Sequence, residues 1–300
     1  MTTVEIGERE FEFGGDELVA LRDNSDCLDD VATLRERLAE DGYLFIRGFH
    51  DEDLVECARR DVLAHLDAEG LLDPDAPVDA AKVHPEWGTE TFDMSGADWT
   101  MYPNLERLIE GAGVMGFFER VLDTKPFVLD RKRGRAKATG YFTGFHVDRI
   151  FMGRGTESLY TCWRPIGACP VEMGPLVVVP GSHRHERLRE TYGQLDVDVD
   201  GVEPFFSRDA RDVLETVGGP LATANFRPGD ALVFDTYLLH GSLTNRTDRF
   251  RISVDTRYQS IEEPADPRWV GADPVGQYNL DDWAPADLRP MTECREEWGL

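Results

Sequence analysis

Phe145-His146-Val147-Asp148 sets two metal-capable side chains two residues apart. On an extended strand, residues i and i+2 project to the same side, so His146 and Asp148 face one point while Val147 faces the opposite layer. Two imidazoles and one carboxylate on one face of a metal leave the other face open, which is the ligand set of a mononuclear non-haem iron site. The second imidazole is His240. It ends Ala231-Leu232-Val233-Phe234-Asp235-Thr236-Tyr237-Leu238-Leu239-His240, an apolar run that follows the turn signal Pro228-Gly229-Asp230 and reads as a buried strand. Arg251-Ile252-Ser253-Val254-Asp255-Thr256-Arg257-Tyr258 alternates and is rich in β-formers, so it reads as the next strand, with Ser242 to Asp248 as the intervening turn. A hairpin of these two strands sets His240 beside Arg251, whose guanidinium is placed to hold a carboxylate near the metal. An isolated HxD recurs by chance. HxD on a strand, a His at a strand end and an Arg on the neighbouring strand are jointly far more specific.

Working outward, Asp29 to Glu40 has apolar positions at helical spacing and stops at Asp41-Gly42. Tyr43 to Arg47 reads as a strand. Asp51 to Leu72 reads as an amphipathic helix with Asp51 as N-cap, and Leu105 to Leu122 as a third helix. From Phe127 onward, short apolar strands alternate with Gly, Pro and Asp. The expected fold is α+β with a mainly β core: a double-stranded β-helix, jelly-roll and cupin-like, with N-terminal helices packed on one face. We expect one domain over 1–300, with a helix-rich part at 1–125, the β core at 126–260 carrying an acidic insertion near 186–222, and a C-terminal extension at 261–300.

Several stretches together resemble the phytanoyl-CoA dioxygenase family of iron(II)/2-oxoglutarate-dependent oxygenases. They are Asp41-Gly42-Tyr43-Leu44-Phe45-Ile46-Arg47-Gly48-Phe49, His146-Val147-Asp148, and Trp163-Arg164-Pro165-Ile166-Gly167 leading into Met173-Gly174-Pro175-Leu176 and Pro180-Gly181-Ser182-His183. The last is His240-Gly241-Ser242 continuing through Asn245 to Arg251. The similarity runs from Asp41 to Tyr258. It implies iron(II) held by His146, Asp148 and His240, 2-oxoglutarate as cosubstrate with its far carboxylate on Arg251, and O2 as oxidant. The expected reaction is hydroxylation of a small-molecule metabolite with release of succinate and CO2. Arg249 and Arg251 share strand parity, and only the family's spacing selects Arg251. Ser242 and Ser253, each two residues past a site residue, are candidates to complete the carboxylate's hydrogen bonds. Trp163 and Asn245 match family positions near the cosubstrate, and a core aromatic and a turn Asn are the competing readings. Halogenating relatives lack the carboxylate that Asp148 supplies, so its presence favours hydroxylation, although desaturation and cyclisation use the same triad.

The formal net charge of −26 disfavours nucleic acid and anionic membranes as partners. Lysine occurs only at Lys82, Lys125, Lys132 and Lys137; the other basic residues are Arg. Abundant carboxylates with few lysines suggest a halophile, an organism with high internal salt, with an Arg-rich codon bias as the alternative. No apolar run is long enough to span a bilayer, and the acidic N-terminus lacks a signal-peptide pattern, so a cytoplasmic location is expected. Five cysteines without CxxC fit a reducing compartment, with Cys162 and Cys169 read as small core residues.

His183 and His185, in a Pro-Gly-Ser turn, read as structural. Asp196-Val197-Asp198-Val199-Asp200-Gly201 opens like a calcium loop, but Ser207 stands where its closing acid belongs, so a solvated acidic insertion is expected there, placed to act as a lid. Arg149, Arg154, Arg164 and Arg257 are read mainly as surface partners of Asp and Glu, and His84 and Trp87 as part of a loop over the pocket. Two other readings stay open: a cupin-like metal enzyme that does not use 2-oxoglutarate, and a non-catalytic metabolite-binding β-domain. Arg251 weighs against the first and the intact triad against the second.

Overall fold

Two sheets face each other across an apolar layer. The structure, a computed structural model, describes residues 1–95, 99–276 and 288–300. In chain order the strands are β1 (Thr2–Ile6), β2 (Arg9–Phe13), β3 (Leu18–Ala20), β4 (Tyr43–Ile46), β5 (Thr91–Asp93), β6 (Pro126–Val128), β7 (Arg133–Lys137), β8 (Tyr160–Pro165), β9 (Leu176–Val178), β10 (Leu221–Thr223), β11 (Ala231–Asp235), β12 (His240–Ser242) and β13 (Arg251–Ser260). The helices are α1 (Val31–Asp41), α2 (Glu52–Ala68), α3 (Pro103–Glu110), α4 (Ala112–Leu122), α5 (Glu186–Glu190), α6 (Ala210–Thr216) and α7 (Met291–Trp298). The larger sheet runs β4-β11-β8-β13-β7-β5, with β6 pairing the far end of β13; the smaller runs β1-β2-β3-β10-β9-β12. This is the expected jelly-roll core.

Parity along each strand of the larger sheet assigns its two faces. Ala231 and Val233 on β11, Cys162 on β8, Ile252 and Val254 on β13 and Ala136 on β7 join one cluster with Leu34, Val55, Val62, Leu105 and Phe118 of the four N-terminal helices. Leu232 and Phe234 turn the other way, meeting Trp163, Leu176 and Val178 between the sheets. Helix α1 starts at Asp30, whose side chain accepts from the Thr33 amide, and ends at Gly42, at φ +81°. A Cβ at Gly42 would meet His183 Nδ1 at 2.4 Å, so that glycine both ends the helix and admits the His183 ring.

Four expectations need correction. The chain from Ala231 to His240 is not one strand: β11 ends at Asp235, the chain turns, and His240 enters β12 in the smaller sheet, against β9. His240 and Arg251 therefore do not share a hairpin; β13 pairs β8 and β7 in the larger sheet. The Asp235 side chain makes the turn by accepting from the Tyr237 amide at 2.7 Å. The helix expected over Leu105–Leu122 is two, because Gly111 takes extended backbone between α3 and α4. The acidic stretch is solvated only in part: Val199 and Asp200 are exposed, but Arg268, itself buried, bonds Asp198 at 2.6 Å and Asp196 at 3.0 Å. The hairpin of β1 and β2 and the short β3, which extend the smaller sheet, had no counterpart in the sequence reading.

Of the C-terminal stretch, residues 277–287 lie outside the described residues. No helix among the described residues is long and apolar enough to cross a membrane. All five cysteines are free, and Cys162 and Cys169 are buried in the core.

Candidate metal centre

Extended backbone carries His146 and Val147, and a short 3-10 turn opens at Asp148. His146 exchanges backbone hydrogen bonds with His240 on β12, each amide reaching the other's carbonyl at 2.9 Å. That bridge brings the two imidazoles to 4.3 Å between ring centroids. Each Nδ1 lies 2.9 Å from a carbonyl, Gly144 for His146 and Leu238 for His240. A carbonyl only accepts, so both Nδ1 atoms carry the proton and both Nε2 atoms keep a free lone pair. Burial, with His240 alongside, pulls the His146 imidazole down to about 3, and burial lowers His240 as well. Both rings are thus neutral at physiological pH, the form that ligates a metal.

Asp148 is held by its outer oxygen. Oδ2 accepts from Thr161 Oγ1 at 2.5 Å and from Arg257 Nη2 at 3.0 Å. Oδ1 faces the imidazoles, 3.9 Å from each Nε2. Burial pushes this carboxyl up, but Arg257, both histidines and the Thr161 hydroxyl outweigh it, and the group lies well below the usual carboxylate range. One donor atom from each of the three residues lies within 4.8 Å of the others. Bonds of about 2.1 Å would set adjacent octahedral donors about 3 Å apart, so the set closes on a first-row divalent ion with shifts under about 1 Å. Two neutral nitrogens and one oxygen suit iron(II) and similar borderline ions.

The triad opens into a cavity of about 790 Å³. Its floor is the inward parity of three strands. Arg133, Arg135 and Lys137 come from β7, Arg251, Asp255 and Arg257 from β13, and Thr161 and Trp163 from β8. Register places Arg251 opposite Lys137 and Asp255 opposite Arg133. Arg251 Nη1 donates to the Gly174 carbonyl at 2.6 Å, while its buried Nε bonds nothing. Its guanidinium lies 5.8 Å from the Trp163 ring. Lys137 bonds Thr143 Oγ1 at 2.5 Å and lies over the Tyr141 ring at 4.2 Å. Burial lowers both cations from their ordinary values. Leu176, Phe234, Phe151, Pro204 and Phe205 supply apolar wall.

Of the residues singled out in the sequence, His146, Asp148, His240, Arg251 and Trp163 meet in this cavity. Ser242, Ser253 and Asn245 are not among the described residues that line it. Ser242 Oγ accepts from the Thr143 amide, and Asn245 bonds the carbonyls of Lys137 and Arg249, tying the turn before β13. Arg257 is no surface partner: it is buried, bridging Asp148 and Asp255. Arg164 is equally buried, on the helix-facing side, bonding Thr256 and Tyr258. Arg154 pairs with Asp196, as expected of a surface partner, and Arg149 bonds the carbonyls of Gly155 and Thr156. His183 bonds the Ala39 carbonyl and His185 caps α5, so both are structural. Neither His84 nor Trp87 lines the cavity, but Thr89, Glu90 and Thr91 just beyond them do. The basic face of β7 was missed. Its signal is the period of two in Arg133-Gly134-Arg135-Ala136-Lys137, which puts three cations on one side.

A sequence model of the phytanoyl-CoA dioxygenase family matches residues 38–253. A 1-deoxypentalenic acid 11-beta-hydroxylase of Streptomyces exfoliatus is 27% identical over 257 residues, covering 80% of this chain and 86% of the relative. Among solved structures, the non-heme alpha ketoglutarate dependent epimerase SnoN from nogalamycin biosynthesis shares the fold with a TM-score of 0.57 at 19% identity, over 87% of this chain and 93% of SnoN. EctD from S. alaskensis, solved with 2-oxoglutarate and 5-hydroxyectoine, aligns with a TM-score of 0.55 at 19% identity, over 86% of this chain and 87% of EctD.

Proposed function

Because the chain belongs to the phytanoyl-CoA dioxygenase family, and so is an iron(II)- and 2-oxoglutarate-dependent oxygenase of small molecules, we propose that His146, Asp148 and His240 hold the iron, that Arg251 holds the cosubstrate, and that the reaction is hydroxylation. The observation that carries this reading is the convergence of three pre-oriented donor atoms with a buried, incompletely bonded guanidinium in one cavity. Iron(II), when bound, supplies O2 activation coupled to decarboxylation of 2-oxoglutarate to succinate and CO2. The chain supplies the geometry and the dry surroundings.

Arg251 offers a planar fork for the far carboxylate, with Lys137 opposite it as a second cation. Trp163, Leu176 and Phe234 strip water from the carbon chain between that carboxylate and the metal face. Phe151 and Phe205 stand edge-on to the His146 ring at 5.6 and 5.7 Å and fix its plane. Hydroxylation is the reaction named for the Streptomyces relative, and Asp148 supplies the carboxylate that hydroxylases keep.

The test is spectroscopic. Iron(II) and 2-oxoglutarate added without oxygen should give their weak visible absorption band. Arg251→Ala should lose the band at modest cosubstrate concentration and recover it only at about 100-fold more, as expected for a buried charge-assisted pair. A wild-type protein that shows no band, and no slow succinate release in air, ends the proposal.

A further inference from the structure

With Arg251 and Lys137 assigned to the cosubstrate, the cavity still holds a cation that makes no ion pair among the described residues. Arg133 begins β7, on the same face as Arg135 and Lys137. The acid opposite it, Asp255, is already committed, to Arg135 at 2.8 Å and to Arg257 at 2.5 Å. Among the described residues the Arg133 side chain has no hydrogen bond and no ion pair. Its Nε is sealed from solvent and bonds nothing, and the Trp269 ring lies 6.0 Å from its Cζ. Burial lowers the group to about 9; Arg135 and Arg257 add to the fall, and Asp255 and Asp93 oppose it only in part. In a chain with net charge −26 a directly bonded carboxylate would be easy to supply from within, so the lack of one among the described residues at a cavity wall is informative.

Distance separates this cation from the cosubstrate. Arg133 and Lys137 are four residues apart on one strand, about 13 Å. A five-carbon diacid spans about two residues of extended chain, so it cannot reach from Arg251 and Lys137 to Arg133. Arg133 does, however, stand across the strand pair from Asp255, which connects through Arg257 to Asp148 of the triad. A molecule anchored there would lay its body along Phe151, Pro204 and Phe205 toward the metal face.

Resting on the oxygenase reading, we propose that Arg133 anchors the substrate's carboxylate, and that the substrate is a free monocarboxylic acid with an apolar aliphatic or alicyclic body. One guanidinium fork matches one carboxylate. Exposed Glu90 and Asp93 on the cavity wall repel a phosphate dianion or the polyphosphate of a coenzyme A thioester more than a singly charged carboxylate.

The test uses the anaerobic protein with iron(II) and 2-oxoglutarate, so that no turnover occurs, and calorimetric titration with acid and alcohol pairs: 1-adamantanecarboxylate against 1-adamantanemethanol, and octanoate against 1-octanol. At least one acid should bind about tenfold tighter than its alcohol, the value of one charge-assisted hydrogen-bonded contact. Arg133→Gln should reduce that preference to below about threefold while leaving alcohol affinity and the absorption band unchanged, and Arg133→Lys should keep part of it. The unchanged band shows that the variant is folded. Acids that bind no better than their alcohols, or a preference that survives Arg133→Gln, overturn the assignment. A missing band in the wild-type protein defeats the oxygenase reading instead, so the two failures are distinguishable.

Discussion

Asp148 divides its two carboxylate oxygens between two tasks. Oδ2 is fixed by Thr161 and Arg257, which leaves Oδ1 aimed between the imidazoles. Thr161→Val keeps the shape and deletes the 2.5 Å bond. Iron affinity, measured by competition with a chelator, should fall about 10- to 100-fold, and unchanged affinity would show that Arg257 alone suffices. His50 gives a separate test. Its ring is buried, its Nε2 has no partner, and burial, then Arg164, hold it well below 6.5. Below pH 6.5 the unfolded chain binds a proton there that the folded chain does not, so stability is lost as pH falls. His50→Phe should remove about 1.4 kcal/mol of that loss per pH unit. Urea unfolding at pH 7.5 and 5.5 reads this directly, and parallel acid limbs for the two proteins would contradict it. At this scale the sequence was informative where chemistry is carried by residue type: the two histidines and Asp148 stand out by spacing, and Arg251 by the family resemblance. Thr161 and Arg133 do not, because a hydroxyl and an arginine acquire meaning only from what the fold leaves beside them.

Between β11 and β12 the chain changes sheets within a few residues, and that crossing escaped the sequence reading. A run of apolar residues has the same pattern whether it continues in one sheet or passes to the facing one, since both sides are buried. The helices were easier, because a one-sided apolar stripe and the caps at Asp30 and Asp51 are local signals. Gly174 shows what a loop contributes. It sits at φ +76°, where a Cβ would come within 2.7 Å of the Leu243 carbonyl, and its own carbonyl holds Arg251. Gly174→Ala should cost about 2 kcal/mol or more in denaturant unfolding. It should also weaken 2-oxoglutarate binding, because the guanidinium loses its rest. A variant that is less stable but binds the cosubstrate normally would separate the two roles.

Over the whole molecule, charge and architecture answer to different forces. The fold follows from apolar parity, and the net charge of −26 lies on its solvated exterior, where like charges repel. Raising potassium chloride from about 0.1 to about 1 M shortens the Debye length from about 10 to about 3 Å, so the melting temperature should rise. A flat or falling melting curve would mean that surface ion pairs, such as Arg9 with Asp209, matter more than the self-repulsion. The placement of the triad has a further result. His240 belongs to the smaller sheet, while Asp148 is tethered by Thr161 and Arg257 of the larger. An ion bound by both would act as a clasp across the sandwich. Metal loading should then slow amide exchange in β12 and β9, far beyond the ligands themselves, and protect the turn at Asp235 to Leu239 from proteolysis.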